Sequence, residues 1–370
     1  ACCSQGEVAT GAQAQAQARR SLFVAAAAVV APLATPAAPA AAEHLPLSTA
    51  ALGRASGKVA VITGATAGVG LEASRTLVAA GGDVYVLGRT LAKAQAAATA
   101  VSGGAAGAGR AIPMECNLAS MASIRRFAEA WERDVKRPID ILALNAGLAL
   151  GQGSKDPQLT EDGFELTVGT NHLGHFLLSS LLQPSLSPSA RIVVTASSVH
   201  DPSAGDPGVQ ATLGRLVGLG PGFGREISMV DGGAYDAGKA YKDSKLCNVL
   251  FTLELSRRLK AAGSQVTVNC LSPGLIPSPT FFRYQDPGFS GAFAFAASNL
   301  LKIAETPEFG GDTLAFMALD PSLDGRSGLF YSAVPPGKHV FVERTPSPEA
   351  RDAAEAAELW RRSEVLVGLV

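Results

Sequence analysis

The fold is decided by one stretch of the sequence, VAVITGATAGVG at residues 59–70. Its first five residues form a continuous run of the kind found in a strand that is buried on both faces. Gly64, Gly68 and Gly70 then follow at the spacing of a sharp turn from a strand into a helix. Such a turn lets a pyrophosphate approach the unpaired N–H groups at the helix N-terminus. The stretch therefore predicts a dinucleotide site, and the alternative is an ordinary tight strand-to-helix turn.

The rest of the chain repeats this alternation of apolar runs and helical stretches. Further strands are predicted at 83–87, 111–115, 139–144, 191–196 and 266–271, with helices at 91–101, 120–135, 161–182 and 236–260. The alternation is typical of right-handed strand–helix–strand units. We therefore predict an α/β fold over residues 56–370: a single Rossmann-type, doubly wound parallel sheet with helices on both faces. Insertions at 201–234 and 276–300 should lie at the carboxyl ends of the strands, where such sheets bind ligands.

Composition excludes several functional classes. The 370 residues suffice for one large domain, and 31 basic against 32 acidic residues give no reason to expect nucleic acid as a partner. The five cysteines show no regular spacing, which argues against a disulfide framework or a zinc site and favours a reducing compartment. His172 and His175 are spaced like metal ligands but lack a third, so we predict a packing or polar role and no metal.

Residues 1–55 differ from the rest and are dominated by alanine. The pair Arg19-Arg20 precedes a short apolar run, and small residues follow at 40–42. This pattern predicts a targeting segment that is disordered or cleaved, the alternative being an alanine-rich linker. The apolar run is far shorter than the roughly 20 residues that span a bilayer. Import into a plastid (chloroplast), followed by sorting to the thylakoid, is the interpretation that we favour.

The second predicted strand ends in Gly88-Arg89, where an NAD site usually carries a carboxylate. Because a guanidinium suits a 2′-phosphate, Arg89 predicts NADPH as the cofactor, although a solvated surface arginine is the alternative. The other residues assigned to the cofactor are Asn117, expected near the adenine, then Asn145, Ala146 and Gly147 after the fourth strand, and Pro273 and Gly274 after the last.

Tyr241 and Lys245 lie four residues apart on the last long predicted helix, so their side chains share a face. An ammonium beside a phenol favours the phenolate, so Lys245 should lower the pKa of Tyr241 and also hold the nicotinamide ribose. Tyr241 would then be the acid, Ser197 would orient the reacting group, and Asn171 could hold a water that links Lys245 to solvent. Ser198 is the rival serine, but strand periodicity places Ser197 at the carboxyl end of the sheet.

These motifs resemble the short-chain dehydrogenase/reductase family. Longer stretches are similar to its light-dependent protochlorophyllide oxidoreductases, namely residues 162–176, 227–248, 320–323 and 359–369. The resemblance implies hydride transfer from NADPH to C17 of protochlorophyllide and protonation at C18, which gives chlorophyllide in chlorophyll biosynthesis. It also implies that Tyr241 and Lys245 are catalytic and that Cys247 lies near the pigment. A homo-oligomer and contact with a thylakoid membrane surface, on its stromal face, are further expectations.

The sequence departs from that family at Leu275, where its members usually carry a cysteine implicated in catalysis. Leucine cannot donate a proton, so Tyr241 or a water must do so. The insertion after it contains Phe281, Phe282 and Tyr284, which suit a flat tetrapyrrole or a membrane surface, the alternative being an apolar lid. Two other functions stay open: a carbonyl or alcohol reductase of the retinol-dehydrogenase kind, and a non-catalytic pigment-binding subunit of the thylakoid.

Overall fold

The computed structural model describes residues 47–102, 109–151, 154–219, 229–277, 284 and 287–370. The strands are β1 (Val59–Ile62), β2 (Asp83–Gly88), β3 (Arg110–Glu115), β4 (Ile139–Leu144), β5 (Leu186–Thr195), β6 (Thr267–Ser272), β7 (Phe330–Ala333) and β8 (Phe341–Arg344). The α-helices are α1 (Thr49–Gly53), α2 (Gly68–Ala79), α3 (Leu91–Ser102), α4 (Met121–Ala130), α5 (Leu166–Val168), α6 (Gly174–Leu182), α7 (Ala237–Ala261), α8 (Pro287–Phe295), α9 (Pro307–Leu319) and α10 (Ala353–Leu366). Short π-helical segments at Trp131–Val135, Gly169–Leu173 and Ala296–Leu300 continue α4, α5 and α8.

Within the described residues, one sheet contains eight strands in the order β3-β2-β1-β4-β5-β6-β7-β8. Neighbours pair in parallel from β3 to β7, and β8 pairs antiparallel to β7. The strand order reverses direction between β1 and β4, which opens a crevice at their carboxyl ends. The predicted doubly wound sheet is confirmed, and the final parallel strand and its antiparallel partner extend it beyond the prediction.

Alternate residues of the strands contribute to a large core on each face of the sheet. Val59 and Val61 of β1 pack into one core, while Ala60 and Ile62 pack into the other. This division follows from the two-residue period of a strand. Helices α4, α6, α7 and α10 contribute to the first core, and α2, α3 and α9 to the second. The continuous apolar run in the sequence therefore reports a strand covered by helices on both faces.

Two boundaries differ from the sequence prediction. The helix predicted over 161–182 begins at Leu166, because Glu165 has an extended backbone and its carboxylate accepts a hydrogen bond from the N–H of Val168 at 2.8 Å. Helix α1 lies inside the segment predicted to be a targeting sequence, and Ala51 and Ala55 are buried in the second core. Residues 47–55 therefore pack on the domain, whereas residues 1–46 lie outside the described residues.

The insertion predicted at 201–234 is packed rather than loose wherever it is described. Leu213 and Leu216 are buried in the first core, and Thr212 and Leu213 are held by the carboxylate of Glu349 near the C-terminus. The second insertion contains α8. None of the helices in the described part of the chain is long and apolar enough to cross a membrane.

Candidate active site

The glycine-rich turn after β1 leaves the N-terminus of α2 open. Ala67 is the N-cap residue, no described side chain caps the helix, and its first turn contains no acid. A Cβ at Gly64 would lie 2.8 Å from the Cα of Ala146, and one at Gly70 would lie 2.5 Å from the carbonyl oxygen of Gly64. Neither position has room for a side chain, so the turn can pack this tightly only with glycine. The open N-terminus of α2 that follows the turn fits a phosphate group held by backbone N–H groups.

Thr63 joins the turns after β1 and β4. Its Oγ1 accepts hydrogen bonds from the backbone N–H groups of Asn145 at 2.8 Å and Ala146 at 3.0 Å. Its hydroxyl also lies 2.9 Å from Nε2 of His175, whose Nδ1 lies 3.0 Å from the carbonyl oxygen of Asn171. A carbonyl can only accept, so Nδ1 carries the proton and the hydroxyl of Thr63 donates to Nε2. Burial lowers the pKa of His175 to about 4, which keeps the ring neutral.

Asn145 continues this network toward the catalytic helix. Its Nδ2 donates to the carbonyl oxygen of Thr63 at 3.1 Å, and its Oδ1 accepts from Oγ1 of Thr195 at 3.2 Å. The carbonyl oxygen of Thr195 accepts in turn from Nζ of Lys245 at 2.9 Å. A Cβ at Gly147 would lie 3.4 Å from that Nζ. The predicted cofactor turn after β4 and the predicted catalytic lysine therefore lie side by side.

Tyr241 and Lys245 lie on one face of α7, with Nζ of Lys245 5.6 Å from the centre of the Tyr241 ring. Lys245 is only 2% exposed, and burial lowers its pKa to about 8. The predicted lowering of the pKa of Tyr241 is wrong. Burial raises that pKa, and a hydrogen bond with Ser197 opposes the rise. Tyr241 is therefore a neutral phenol near pH 7, which suits a proton donor.

The two candidate serines have different environments. Ser197 hydrogen-bonds with Tyr241, and its Oγ also accepts from the N–H of Val199 at 3.4 Å, at the start of a short 3-10 helix, Ser198–His200. The backbone N–H of Ser198 donates to Oγ of Ser272 at 3.0 Å. The contact with Tyr241 supports Ser197 as the active-site serine.

Asn171 is fully buried and its side chain is bonded to protein groups. Its Nδ2 donates to the carbonyl oxygen of Leu148 at 2.9 Å and to Oγ of Ser244 at 3.0 Å, and its Oδ1 accepts from the N–H of Leu148 at 3.0 Å. These bonds hold the segment after Gly147 against α7. The predicted water between Asn171 and Lys245 stays a prediction.

Arg89 and Asn117 lie at the carboxyl ends of β2 and β3. Arg89 is exposed, and none of the described residues forms an ion pair with it. The nearby carboxylate of Glu115 accepts from the N–H of Leu91 at 3.0 Å, so this acid is bonded to the start of α3. Oδ1 of Asn117 accepts from the N–H of Ala119 at 3.2 Å. The assignment of Arg89 to a 2′-phosphate and of Asn117 to the adenine stays a prediction.

Pro273, Gly274 and Leu275 follow β6 and are fixed against the segment that precedes α9. The carbonyl oxygen of Leu275 accepts from the N–H of Glu305 at 2.8 Å, and a Cβ at Gly274 would lie 2.5 Å from Cγ of Glu305. The loop therefore has a defined position at the carboxyl edge of the sheet, where its cofactor role stays a prediction.

The structure places Cys247 in the interior, and its assignment to the pigment stays a prediction. Cys247 is 0% exposed and lies in the first core. On a helix of 3.6 residues per turn, a position two residues after Lys245 points to the opposite side from it. Cys270 is buried in β6.

Of the three aromatic residues assigned to the pigment, the structure describes one. Tyr284 packs against a small apolar cluster formed by Leu148, Leu150 and Ala237, next to the start of α7. Phe281 and Phe282 lie outside the described residues. The apolar cluster thus adds two leucines that the sequence did not single out.

Two buried lysines beside Tyr241 were also missed. Nζ of Lys239 lies 3.0 Å from a carboxylate oxygen of Asp231 and donates to the carbonyl oxygen of Thr212 at 3.0 Å. Nζ of Lys242 pairs with Asp206 at 2.8 Å. Both side chains hold the insertion of 201–234 on α7. The i, i+4 pair of Lys239 with Asp243 was the signal in the sequence.

The C-terminal tail docks behind the same helix. The ring of Trp360 lies 4.8 Å from Phe176 and stacks on Phe251 at 5.8 Å. His172 pairs with Oγ of Ser363 at 2.9 Å, so His172 and His175 contact different elements, as their predicted polar role requires. Among the described residues, no group of three His, Cys, Asp or Glu side chains could hold a metal ion.

Comparison with known proteins gives a consistent result. A family model described as short chain dehydrogenase matches residues 58–206. Protochlorophyllide reductase, chloroplastic, of Pisum sativum is 38% identical over 317 residues, covering 84% of this chain and 77% of its own length. Protochlorophyllide reductase B, chloroplastic, of Oryza sativa subsp. japonica is 37% identical over 354 residues, covering 93% of this chain and 83% of its own length.

Solved structures share the fold. The crystal structure of an uncharacterized protein from Mycobacterium Paratuberculosis is similar with a TM-score of 0.62 and 29% identity, covering 85% of this chain and 94% of that one. A blue fluorescent protein from a metagenomic library, in complex with NADPH, has a TM-score of 0.55 and 22% identity, covering 77% of this chain and 99% of that one. The second likeness bears on the fold alone.

Proposed function

The chain belongs to the short-chain dehydrogenase family, and from that premise we propose that this oxidoreductase is an NADPH-dependent reductase of protochlorophyllide. The product is chlorophyllide, formed by light-triggered reduction of the C17–C18 double bond. The observation that carries the proposal is the contact of Tyr241 with Ser197 beside Lys245, in a chain 38% identical to a protochlorophyllide reductase over most of its length.

The residues present fit NADPH. The open N-terminus of α2, which follows the tight turn at Gly64, suits the pyrophosphate, while Arg89 suits the 2′-phosphate. When bound, NADPH supplies the hydride. Lys245 lies beside the turn at Gly147 and would hold the ribose of the nicotinamide.

Tyr241 supplies the proton at C18 in this proposal. Burial raises its pKa, so the phenol carries its proton near pH 7, and the hydrogen bond with Ser197 orients it. Lys245, with a pKa of about 8, is mostly charged at that pH and stabilises the phenolate that forms. Leu275 has no proton to give, so Tyr241 is the side-chain donor that these residues provide.

The pigment would lie against the apolar cluster of Leu148, Leu150 and Ala237, together with Tyr284. An apolar surface with one aromatic ring suits the flat face of a tetrapyrrole. The relatives named chloroplastic support a plastid location for this chain. We also propose that the protein associates with the stromal face of the thylakoid membrane and that it forms homo-oligomers. Neither interaction is assigned to a particular surface of the described residues.

Absorbance spectroscopy tests the proposed function. Purified protein is mixed with NADPH and protochlorophyllide, and spectra are recorded in darkness and after a flash. The proposal predicts a red-shifted pigment band in darkness and a chlorophyllide band after the flash. Pigment binding without conversion would instead indicate a non-catalytic pigment-binding subunit. Turnover of aldehydes in darkness, without pigment binding, would indicate a carbonyl reductase.

A further inference from the structure

A buried histidine lies three residues after Ser197 and belongs to none of the motifs above. His200 is 1% exposed and ends the short 3-10 helix that Ser197 caps. Its Nδ1 lies 2.7 Å from the carbonyl oxygen of Ser197, and its Nε2 lies 3.2 Å from the backbone nitrogen of Ser347. The ring thus bridges the active-site serine and a segment near the C-terminus.

Its two partners determine which nitrogen carries the proton. The carbonyl oxygen of Ser197 can only accept, so Nδ1 must donate. The N–H of Ser347 can only donate, so Nε2 must be the bare acceptor. Burial lowers the pKa of His200 and favours the neutral ring. The neutral form with the proton on Nδ1 is the one that satisfies both bonds.

Two further elements hold the ring in place. Phe330 of β7 meets it edge to face, with ring centres 5.0 Å apart and planes at 81°. Ser347 lies between β8 and α10, and its Oγ accepts from the N–H of Ala350 at 3.3 Å. The position of the Ser197 backbone is therefore linked to the last strands and the tail.

We propose that His200 is a positioning residue, which holds the Ser197 backbone so that the Ser197 hydroxyl stays on Tyr241. The inference rests on the proposed function in so far as Ser197 orients the reacting group. The ring bonds to the Ser197 backbone, and the Ser197 hydroxyl bonds to Tyr241, so His200 acts through Ser197. The carbonyl oxygen of Ser197 also accepts from the backbone N–H of His200 at 3.3 Å. Loss of the Nδ1 donor should remove the shorter of these two bonds, loosen the Ser197 backbone and displace the hydroxyl.

Two substitutions separate the two ring nitrogens. The amide nitrogen of His200→Asn can take the place of Nδ1, whereas the longer side chain of His200→Gln reaches the place of Nε2. We expect His200→Asn to keep kcat within about threefold of wild type. We expect His200→Gln to lose about 10- to 100-fold in kcat, with KM for NADPH nearly unchanged, because a displaced orienting group affects the chemical step. Equal losses in both variants, or full kcat in His200→Gln, would overturn the proposal.

A second measurement does not depend on the variants or on turnover. In wild-type protein with ¹⁵N-labelled histidine, the His200 ring should give the signals of a neutral ring with its proton on Nδ1. A proton on Nε2, or a charged ring at pH 7, would overturn the proposal even in an active enzyme. Absence of any pigment conversion by wild type would count against the proposed function, and the ring signals would still decide the hydrogen bond to Ser197.

Discussion

Replacing Lys245 by methionine should stabilise the fold while it removes the activity. Lys245 is 2% exposed, and its pKa falls from 10.5 to about 8 because burial disfavours the ammonium. Methionine has a similar length and no charge, so it can occupy the same space. The prediction thus separates what the residue does for the reaction from what it does to the free energy of unfolding.

The size of the expected stabilisation follows from the lowered pKa of Lys245. A fall from 10.5 to about 8 corresponds to about 3 kcal/mol of lost folding free energy at pH 7, at about 1.4 kcal/mol per pH unit. The substitution also removes the 2.9 Å hydrogen bond to the carbonyl oxygen of Thr195, worth about 1 kcal/mol. Asn248 still donates to that oxygen at 3.4 Å, so it is not left unpaired. The net expectation is a gain of about 2 kcal/mol.

The lowered pKa of Lys245 also determines how the stability difference between Lys245→Met and wild type changes with pH. The burial cost is fully present below the folded pKa of about 8. As the pH rises above it, the folded lysine loses its proton while the unfolded lysine keeps it, so the unfolded state binds more protons and wild type gains stability. The advantage of Lys245→Met should therefore shrink by about 1 kcal/mol between pH 7 and pH 9.

Urea unfolding followed by circular dichroism at pH 7 and pH 9 measures both quantities. Lys239→Met is the matched control, because it removes another buried lysine of α7 but leaves Asp231 and Asp243 without their cation. It should destabilise the protein. If Lys245→Met is less stable than wild type at pH 7, or if its advantage does not depend on pH, the argument from burial is wrong.

Arg89→Ala should raise KM for NADPH about 10- to 100-fold, because the 2′-phosphate loses a charged partner, and should leave KM for NADH unchanged. Steady-state kinetics with both cofactors measures this. An equal rise in KM for NADPH and for NADH would refute the assignment. Gly311→Ala should cost about 1–3 kcal/mol in urea unfolding, because its Cβ would lie 2.8 Å from the backbone nitrogen of Ala73. Gly291→Ala in α8 is the control, because none of the described atoms lies within 4 Å of its Cβ; it should not destabilise the protein, since alanine favours a helix over glycine. Cys247→Ala should keep pigment conversion, because the thiol is buried in the first core. A specific loss of pigment binding would support the pigment role of that residue.

The sequence predicts the elements whose pattern is local. The continuous apolar run at residues 59–63 indicates a strand covered on both faces, and the glycines after it indicate the turn that the structure contains. Tyr241 and Lys245 share a face because the helical period brings i and i+4 together. The carboxyl edge of a parallel sheet then gathers the turns after β1, β4 and β5, so the composition of the site follows from the topology.

Features that depend on tertiary packing were missed or assigned wrongly. The pKa of Tyr241 depends on how much water surrounds the phenol, and burial outweighs the hydrogen bond with Ser197. Helix α9 carries Gly310-Gly311, which disfavours a helix locally but permits close approach to α2. Strands β7 and β8 have four residues each and little pattern. His200 has no neighbour in the sequence that reveals its bond to Ser347.

Flash-induced conversion by Tyr241→Phe, measured beside wild type, tests the central claim most directly. The phenylalanine keeps the ring but removes the hydroxyl that bonds to Ser197. We predict that the variant still binds NADPH and protochlorophyllide and shows the red-shifted band in darkness. Its yield of chlorophyllide per flash should fall by about 100-fold or more, the usual effect of removing a general acid. A yield equal to that of wild type would contradict the assignment of Tyr241 as the proton donor.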